Sequence, residues 1–265
     1  MPFTPSHAVV ALPFIRTPLV PAAIAVGAMT PDLPLFIRGV GLPYSFTHTF
    51  GNAVWTALIA FVLFVLWRVV LRPAVGELSP LWLARRVPAD WSQSGRDAAR
   101  TAVGIGGPNR LYPVMLAVSL VLGVLSHIAW DLFTHEGRWG VDVLPVLDDM
   151  WGPFTGYKWL QHGSSAIGLL IIGIWAILRV TRAVPRQHIE RVIPSSVRIA
   201  WWLSLPVVLI TAWMVGYAAY GPFTGEFTYQ HLAYRVLPPA CALWGAFTLA
   251  LCLALPLFRR VHHRG

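Results

Sequence analysis

The sequence predicts an all-α fold: a polytopic integral membrane helical bundle with about five full spans and a broken or re-entrant N-terminal helical segment. Hydrophobic residues make up 56% of the 265 positions and charged residues only 12%, roughly half the charge of a soluble domain. The mean hydropathy is +0.62. The apolar residues also fall into separate runs, most of them close to the roughly 20 residues that cross a bilayer.

The apolar runs follow one another with charged loops between them. Residues 8–29 are interrupted by Pro13, Arg16, Pro18 and Pro21, so two short helices are expected there rather than one crossing. The five spans are expected at about 51–70, 111–133, a stretch ending near 180, 199–220 and 236–258, with long loops at 71–110 and 134–162. We therefore predict one membrane domain, 1–265, in three parts: an N-terminal part with a polar turn (1–50), a three-span core with the polar site (51–180), and two further spans with a basic tail (181–265).

The positive charges indicate how the chain is oriented. Most of the 20 Lys and Arg residues lie in three segments, 68–110, 179–198 and 259–264. Two predicted spans separate each segment from the next, so all three lie on the same face of the membrane. The positive-inside rule makes that face, and with it the C-terminus, cytoplasmic. The net charge of +9 is thus explained by loops beside spans, and no nucleic acid partner is expected. The N-terminus has no basic region with a cleavage site, so no removable signal peptide is expected.

One motif combines ionisable groups with a membrane span. His127, Asp131 and His135 are spaced by four residues, which places them on one face of a helix. Ionisable groups at the end of a lipid-embedded segment usually mark a pathway or a site. In the predicted orientation, His48 and His162 begin the neighbouring spans at this same, non-cytoplasmic surface. We therefore expect distant histidines and aspartates to meet there.

Imidazoles and carboxylates in such a cluster are ligands for zinc, iron or manganese. Zinc is the first expectation, and iron and manganese are alternatives. The five predicted metal ligands are His7, Asp32, His48, His127 and Asp131, which are enough for one ion or two. The three residues predicted to assist catalysis by proton transfer are His135, Asp142 and His162.

Several motifs together resemble the bacterial membrane-protein family catalogued as domain of unknown function 4184. They are the start Met1-Pro2-Phe3-Thr4-Pro5-Ser6-His7-Ala8, the turn Pro31-Asp32-Leu33-Pro34, Thr47-His48-Thr49, residues 126–135 and Gln161-His162-Gly163-Ser164-Ser165. The resemblance is good over residues 1–180 and loose over the last two spans. It implies a bacterial cytoplasmic (inner) membrane location.

A wider resemblance is to bacterial inner-membrane proteins described as metal-dependent hydrolases. This chain is similar to them at His7, Asp32, His48, His127, Asp131, Thr134 and Gly137. It departs after Asp32, where Leu33-Pro34-Leu35 stands in place of a second acidic residue and a histidine, and at Phe46, where the relatives have basic or small residues. The departure after Asp32 favours one metal ion over two.

Three hypotheses follow for the function. The first is a metal-dependent hydrolase that acts on a lipid-linked ester or phosphoester at the non-cytoplasmic face, with the lipid bilayer and a lipid substrate as partners. The second is a proton- or ion-coupled transporter, which ranks lower because the cytoplasmic halves of the spans are apolar. The third is a non-catalytic scaffold in which the cluster joins helix ends. The sequence predicts no oligomeric state.

Overall fold

The computed structural model describes residues 3–262, with the backbone alone at 260–262. Met1-Pro2 of the N-terminal motif and the end of the basic tail, including His263 and Arg264, lie outside the described residues. The α-helices are α1 (Pro21–Met29), α2 (Leu33–Phe36), α3 (Tyr44–Thr47), α4 (Ala53–Leu66), α5 (Arg72–Leu78), α6 (Leu81–Ala84), α7 (Gly95–Val103), α8 (Tyr112–Thr134), α9 (Trp139–Val143), α10 (Gly156–Thr181), α11 (Ser195–Tyr220) and α12 (Tyr229–His262).

Shorter elements connect these helices. Segments of 3₁₀-helix cover Thr4–Phe14, Thr30–Asp32, Phe50–Asn52, Ala89–Ser92 and Pro145–Leu147, and a π-helical turn covers Trp67–Leu71. Two short strands, β1 (Met150–Trp151) and β2 (Phe154–Thr155), pair antiparallel with Met150 opposite Thr155. The fold is therefore all-α, as predicted, with one small hairpin.

Five helical stretches of the described chain are long and apolar enough to cross a membrane, which confirms a multi-pass protein. They are Phe50–Leu78, Tyr112–Thr134, Gly156–Thr181, Ser195–Tyr220 and Tyr229–Arg259. The first continues beyond the predicted end because Pro73 lies in the first turn of α5, where its missing N–H is not needed. Residues 79–110, predicted as part of a loop, contain the short helices α6 and α7.

The proline-interrupted N-terminal region forms two short helices, as the sequence predicts. The first is the 3₁₀ segment Thr4–Phe14, and the second is α1, which begins at Pro21. The N–H of Val20 donates to the hydroxyl of Ser119 (2.9 Å) and so fixes the start of α1 on α8. Neither short helix is among the candidate spans of the described chain.

The backbones of α1 and α8 touch because both helices carry glycine at their crossing. A Cβ on Gly27 would lie 2.4 Å from the carbonyl oxygen of Leu120, and one on Gly123 would lie 2.2 Å from that of Ile24. Small residues permit such close approach between membrane helices. This crossing lies one helical turn before His127.

The contacts divide the chain into two units. The boundaries of these units differ from those of the three parts predicted from the sequence. The first comprises the described residues up to Leu33, Leu42–Leu66 and Ala99–Arg182; the second comprises Pro34–Gly41, Trp67–Ala98 and the described residues from Ala183 onward. The first unit packs small side chains of α1 and α4, such as Ala23, Ala57 and Ala60, against Leu120 and Val124 of α8. All eight predicted site residues belong to this unit.

The second unit is held together by a buried carboxylate. Glu77 is 5% exposed and accepts hydrogen bonds from the N–H groups of Val192 (3.0 Å) and Ile193 (3.3 Å). The guanidinium groups of Arg191 and Arg198 donate to the carbonyl oxygen of Glu77, at 2.9 and 2.8 Å. The carboxylate and both guanidinium groups are thus hydrogen-bonded to backbone groups of the unit, which indicates a structural role.

Candidate metal centre

His127 is fully buried in α8 and has a fixed tautomer. Its Nδ1 lies 2.7 Å from the carbonyl oxygen of Ala28 in α1. Because a carbonyl oxygen only accepts hydrogen bonds, Nδ1 carries the proton. In the neutral ring, Nε2 then has a free lone pair. Metal-binding histidines are typically oriented in this way, by a hydrogen bond from the other ring nitrogen to a carbonyl oxygen.

His48 has the same arrangement at the end of α3. Its Nδ1 lies 3.0 Å from the carbonyl oxygen of Tyr44, and its Nε2 lies 3.2 Å from the Nε2 of His127. The hydroxyl of the preceding residue, Thr47, donates to the carbonyl oxygen of Pro31 (2.7 Å) and so joins α3 to the turn that carries Asp32. Two imidazole lone pairs therefore face each other.

The carboxylates of Asp32 and Asp131 face the same two nitrogens. Oδ1 of Asp32 lies 3.6 Å from Nε2 of His48 and 3.7 Å from Nε2 of His127, and Oδ2 of Asp131 lies 3.5 and 3.4 Å from them. The other oxygen of Asp32 accepts a hydrogen bond from the hydroxyl of Thr4 (2.7 Å). The distances to the imidazoles exceed those of ordinary hydrogen bonds.

His7, in the N-terminal 3₁₀ segment, completes the cluster. Its ring stacks on that of His127 with 4.0 Å between centroids and 27° between planes. Its Nε2 lies 4.0 Å from Oδ1 of Asp131. Burial, and then the neighbouring His127 imidazole, lower the pKa of His7 to about 4, so at neutral pH this ring is uncharged and its nitrogen is available as a ligand.

The electrostatics of Asp32 favour the ionised form. Burial alone would raise the pKa of this carboxyl group, but the imidazole of His48, the imidazole of His127 and the hydroxyl of Thr4 outweigh burial and lower it. Three buried atoms of the cluster have no hydrogen-bond partner: Nε2 of His7, Oδ1 of Asp32 and Oδ1 of Asp131. These three polar atoms therefore face the cluster without a hydrogen bond of their own.

This donor set fits a divalent cation. Ligands bound at about 2.1 Å from one ion, at tetrahedral or octahedral angles, lie about 3.0–3.4 Å apart, close to the separations of 3.2–3.7 Å among these atoms. Two overlapping groups meet the distance requirement for a shared ion: His7, His127 and Asp131, and Asp32, His48 and His127. Both use His127, whose single free nitrogen binds one ion, so they describe one centre rather than two.

Three further side chains surround the cluster. His135 lies beside Asp131, with its Nδ1 3.2 Å from the Asp131 carbonyl oxygen and 3.7 Å from Oδ2. The amide nitrogen of Gln161, in α10, lies 3.4 Å from Nε2 of His135. Tyr44 stacks on His48 at 3.5 Å, and its hydroxyl lies 3.4 Å from Oδ2 of Asp131. Burial, followed by the carboxylates of Asp131 and Asp32, raises the pKa of Tyr44, so the hydroxyl keeps its proton.

The structure brings together six of the eight predicted residues and leaves two apart. His162 is exposed and contacts Phe154, and Asp142 is exposed on α9. Within the described chain, no hydrogen bond, ion pair or ring contact joins either of them to the cluster. The proton-transfer roles predicted for them are therefore not supported. In α10, which begins at Gly156, it is Gln161 that faces His135, and residue 162 lies about 100° further round the helix.

Sequence reasoning missed Thr4, Tyr44 and Gln161. A signal existed for Tyr44, since it precedes His48 by four residues, the helical spacing that predicted the α8 motif. Thr4 and Gln161 belong to segments on which the family resemblance was based, but nothing in their spacing predicts a role. Their contacts depend on how the N-terminal segment and α10 pack.

The comparisons with known proteins give a family but no activity. The family described as Domain of unknown function (DUF4184) matches residues 1–255, which confirms the resemblance inferred from the motifs. No curated protein and no solved structure matches the chain. The wider resemblance to metal-dependent hydrolases stays a prediction.

Proposed function

Because the chain belongs to the family described as Domain of unknown function (DUF4184), whose description carries no activity, we propose a function from the site itself. The proposal is a membrane-embedded, metal-dependent hydrolase with a single divalent ion, zinc in the first instance and iron or manganese as alternatives. The ligands are His7, Asp32, His48, His127 and Asp131.

The observation that carries this proposal is the convergence of lone pairs at the centre of the cluster. The protons of His127 and His48 are committed at Nδ1 to the carbonyl oxygens of Ala28 and Tyr44. Their Nε2 atoms then face each other and two carboxylates at 3.2–3.7 Å. Buried acceptors without donors are unfavourable, and a cation at their centre removes that penalty.

A divalent ion bound here would lower the pKa of a water molecule and polarise an ester or phosphoryl oxygen. The surrounding residues are suited to proton transfer. Nδ1 of His135 donates to the carbonyl oxygen of Asp131, so Nε2 carries the lone pair that can accept a proton, and the side chain is 19% exposed. It thus connects the buried cluster with the surface. Gln161 orients this ring, and Tyr44 supplies a hydroxyl that remains protonated.

The position of the cluster supports a lipid-linked substrate. His127 and Asp131 lie in the last two turns of a membrane-spanning helix, so the reacting bond has to reach the site at the membrane surface. An ester or phosphoester that joins a headgroup to a lipid lies at that level. The basic loops support assignment of this surface to the non-cytoplasmic side of the bacterial inner membrane, with the C-terminus cytoplasmic.

Elemental analysis of the purified protein tests the metal. The wild-type chain is expected to carry about one zinc, iron or manganese ion, and the double variant His127→Ala, Asp131→Ala is expected to carry none. His162→Ala is the matched control, because it removes an exposed imidazole from α10 and should leave the ion in place. An ion retained by the double variant would contradict the proposal.

Hydrolysis is tested separately on long-chain carboxylic esters and phosphodiesters with chromogenic leaving groups, embedded in vesicles. The wild-type protein is expected to release the chromophore from one class, and a chelator or the double variant should abolish release. A protein that binds an ion, hydrolyses neither class and conducts protons into liposomes in a manner lost with Asp131→Asn would be a transporter instead.

A further inference from the structure

The segment between α8 and α10, residues 135–155, exposes apolar side chains. Trp139, Val143, Leu144, Val146, Met150 and Trp151 are between 44% and 65% exposed. A loop in water normally presents polar side chains, and large apolar side chains exposed together in one segment often mark an interaction site. The 135–155 segment therefore has a surface that requires a partner.

This exposure is a fixed feature of a folded element. Val141 and Leu147 are buried together with Tyr157 at the start of α10. The indole N–H of Trp159 donates to the carbonyl oxygen of Trp151 (2.7 Å). A Cβ on Gly140 would lie 2.6 Å from the carbonyl oxygen of Leu132, so α9 rests directly on the end of α8. The segment thus buries one set of apolar side chains and presents another.

Both ends of the 135–155 segment are attached to membrane spans. The span in α8 ends at Thr134, and the span in α10 begins at Gly156. The 26 residues of α10 extend about 39 Å, which exceeds the roughly 30 Å hydrocarbon core, so the ends of this helix reach the headgroup region. The segment is therefore held at the level of the interface. Asp142, Asp148 and Asp149 in the same segment are also exposed.

We propose that the 135–155 segment is an interfacial element that inserts these six apolar side chains into the bilayer leaflet at which α8 ends. The occupant of the exposed surface is lipid, because the segment directly joins two candidate membrane spans and exposes Trp together with aliphatic side chains, as interfacial segments do. The insertion depth is about 5–10 Å below the headgroup boundary. This proposal does not depend on the metal.

Spin labels on single cysteines test the insertion. In a full-length background with Cys241→Ser and Cys252→Ala, a nitroxide is attached to Val146→Cys, and to Asp148→Cys as the matched control in the same segment. The proteins are reconstituted in nanodiscs of phosphatidylcholine and phosphatidylglycerol. The label at 146 is expected to collide with the water-soluble nickel complex severalfold less often than the label at 148, and with oxygen more often. Unchanged thermal unfolding shows that each variant is folded.

Two results would overturn the proposal. Equal nickel accessibility at 146 and 148 would place the surface in water. Spin–spin broadening at 146 that disappears on dilution with unlabelled protein would show that a second copy of the chain covers it. If the cysteine at 146 perturbs folding, a label at Val143→Cys repeats the measurement, because the Val143 side chain is also exposed, at 54%.

Discussion

At the scale of single residues, the site differs from a set of hydrogen bonds that merely join helix ends. In a scaffold of that kind, buried polar atoms would pair at about 2.7–3.2 Å. Here Nε2 of His7 and the Oδ1 atoms of Asp32 and Asp131 are buried without a hydrogen-bond partner. An unsatisfied buried group costs about 1–3 kcal/mol. The ion proposed above would give all three a partner at one place.

Asp131→Asn tests this explanation with a change of charge and almost none of shape. The carboxylate contacts both free imidazole nitrogens at 3.4–3.5 Å, so its loss should leave the purified protein without metal. Asp142→Asn makes the same change on an exposed residue and should retain the wild-type amount. Elemental analysis and titration against a chelating dye provide the measurement. Equal metal content in the two variants would mean that Asp131 is not a ligand.

Thr4→Val tests a hydrogen bond that holds Asp32 in place, and it leaves the proposed ligand Asp32 itself unchanged. The Thr4 hydroxyl donates to Oδ2 of Asp32 at 2.7 Å, which leaves Oδ1 for the centre. Removal of such a supporting hydrogen bond typically lowers metal affinity by about 10–100-fold, and we expect that range here. Thr17→Val, which removes an exposed hydroxyl that donates to Phe14, is the control and should change nothing. An unchanged affinity in Thr4→Val would exclude this role.

At the scale of the helices, the crossing of α1 and α8 positions His127, the central residue of the cluster. Gly123 allows the two backbones to touch, and one turn later His127 donates to the carbonyl oxygen of Ala28 in α1. The small residues at this contact therefore set the distance between the two helices. The tautomer and orientation of His127 depend on that distance.

Gly123→Ala should disturb the crossing and the metal together. The new Cβ would lie 2.2 Å from the carbonyl oxygen of Ile24, so the helices must separate, and overpacking of this kind destabilises by about 1–3 kcal/mol. Gly173→Ala, in α10, meets no atom within 4 Å and should be neutral or slightly stabilising. Thermal unfolding in detergent, with metal content measured in parallel, compares the two. A Gly123→Ala protein as stable and as metal-rich as Gly173→Ala would argue against a positioning role.

Helix periodicity explains which parts of the site could be predicted. The four-residue spacing placed His127, Asp131 and His135 on one face, and alternation of the spans placed His48 at the same membrane surface. The same reasoning expected His162 to begin its span at this surface, but α10 begins at Gly156 and turns Gln161 toward His135, so the next residue lies about 100° further round the helix and is exposed. Gln161 escaped prediction because its contact depends on how α10 packs, which periodicity does not describe.

At the scale of the whole molecule, hydropathy and the low content of charged residues predicted the fold class correctly. Composition predicted a multi-pass all-α protein, and five helical stretches of the described residues are long and apolar enough to span a membrane. The exact ends of the spans were less predictable. Proline is tolerated in the first turn of a helix, so a helical stretch can continue past a proline that the sequence suggests as its end. Orientation depends on a separate property, the distribution of arginine.

A hydrolase site on the outer side requires that residues 135–155 be non-cytoplasmic and that the C-terminus be cytoplasmic. In the background without Cys241 and Cys252, Asp148→Cys should react with a membrane-impermeant maleimide in intact cells. Exposed His188→Cys, in an Arg-rich loop, should react only after the membrane is permeabilised. A green fluorescent protein fused after Gly265 should fluoresce, as it does only in the cytoplasm. Labelling of His188→Cys from outside, with Asp148→Cys protected, would reverse the topology and place the cluster at the cytoplasmic surface.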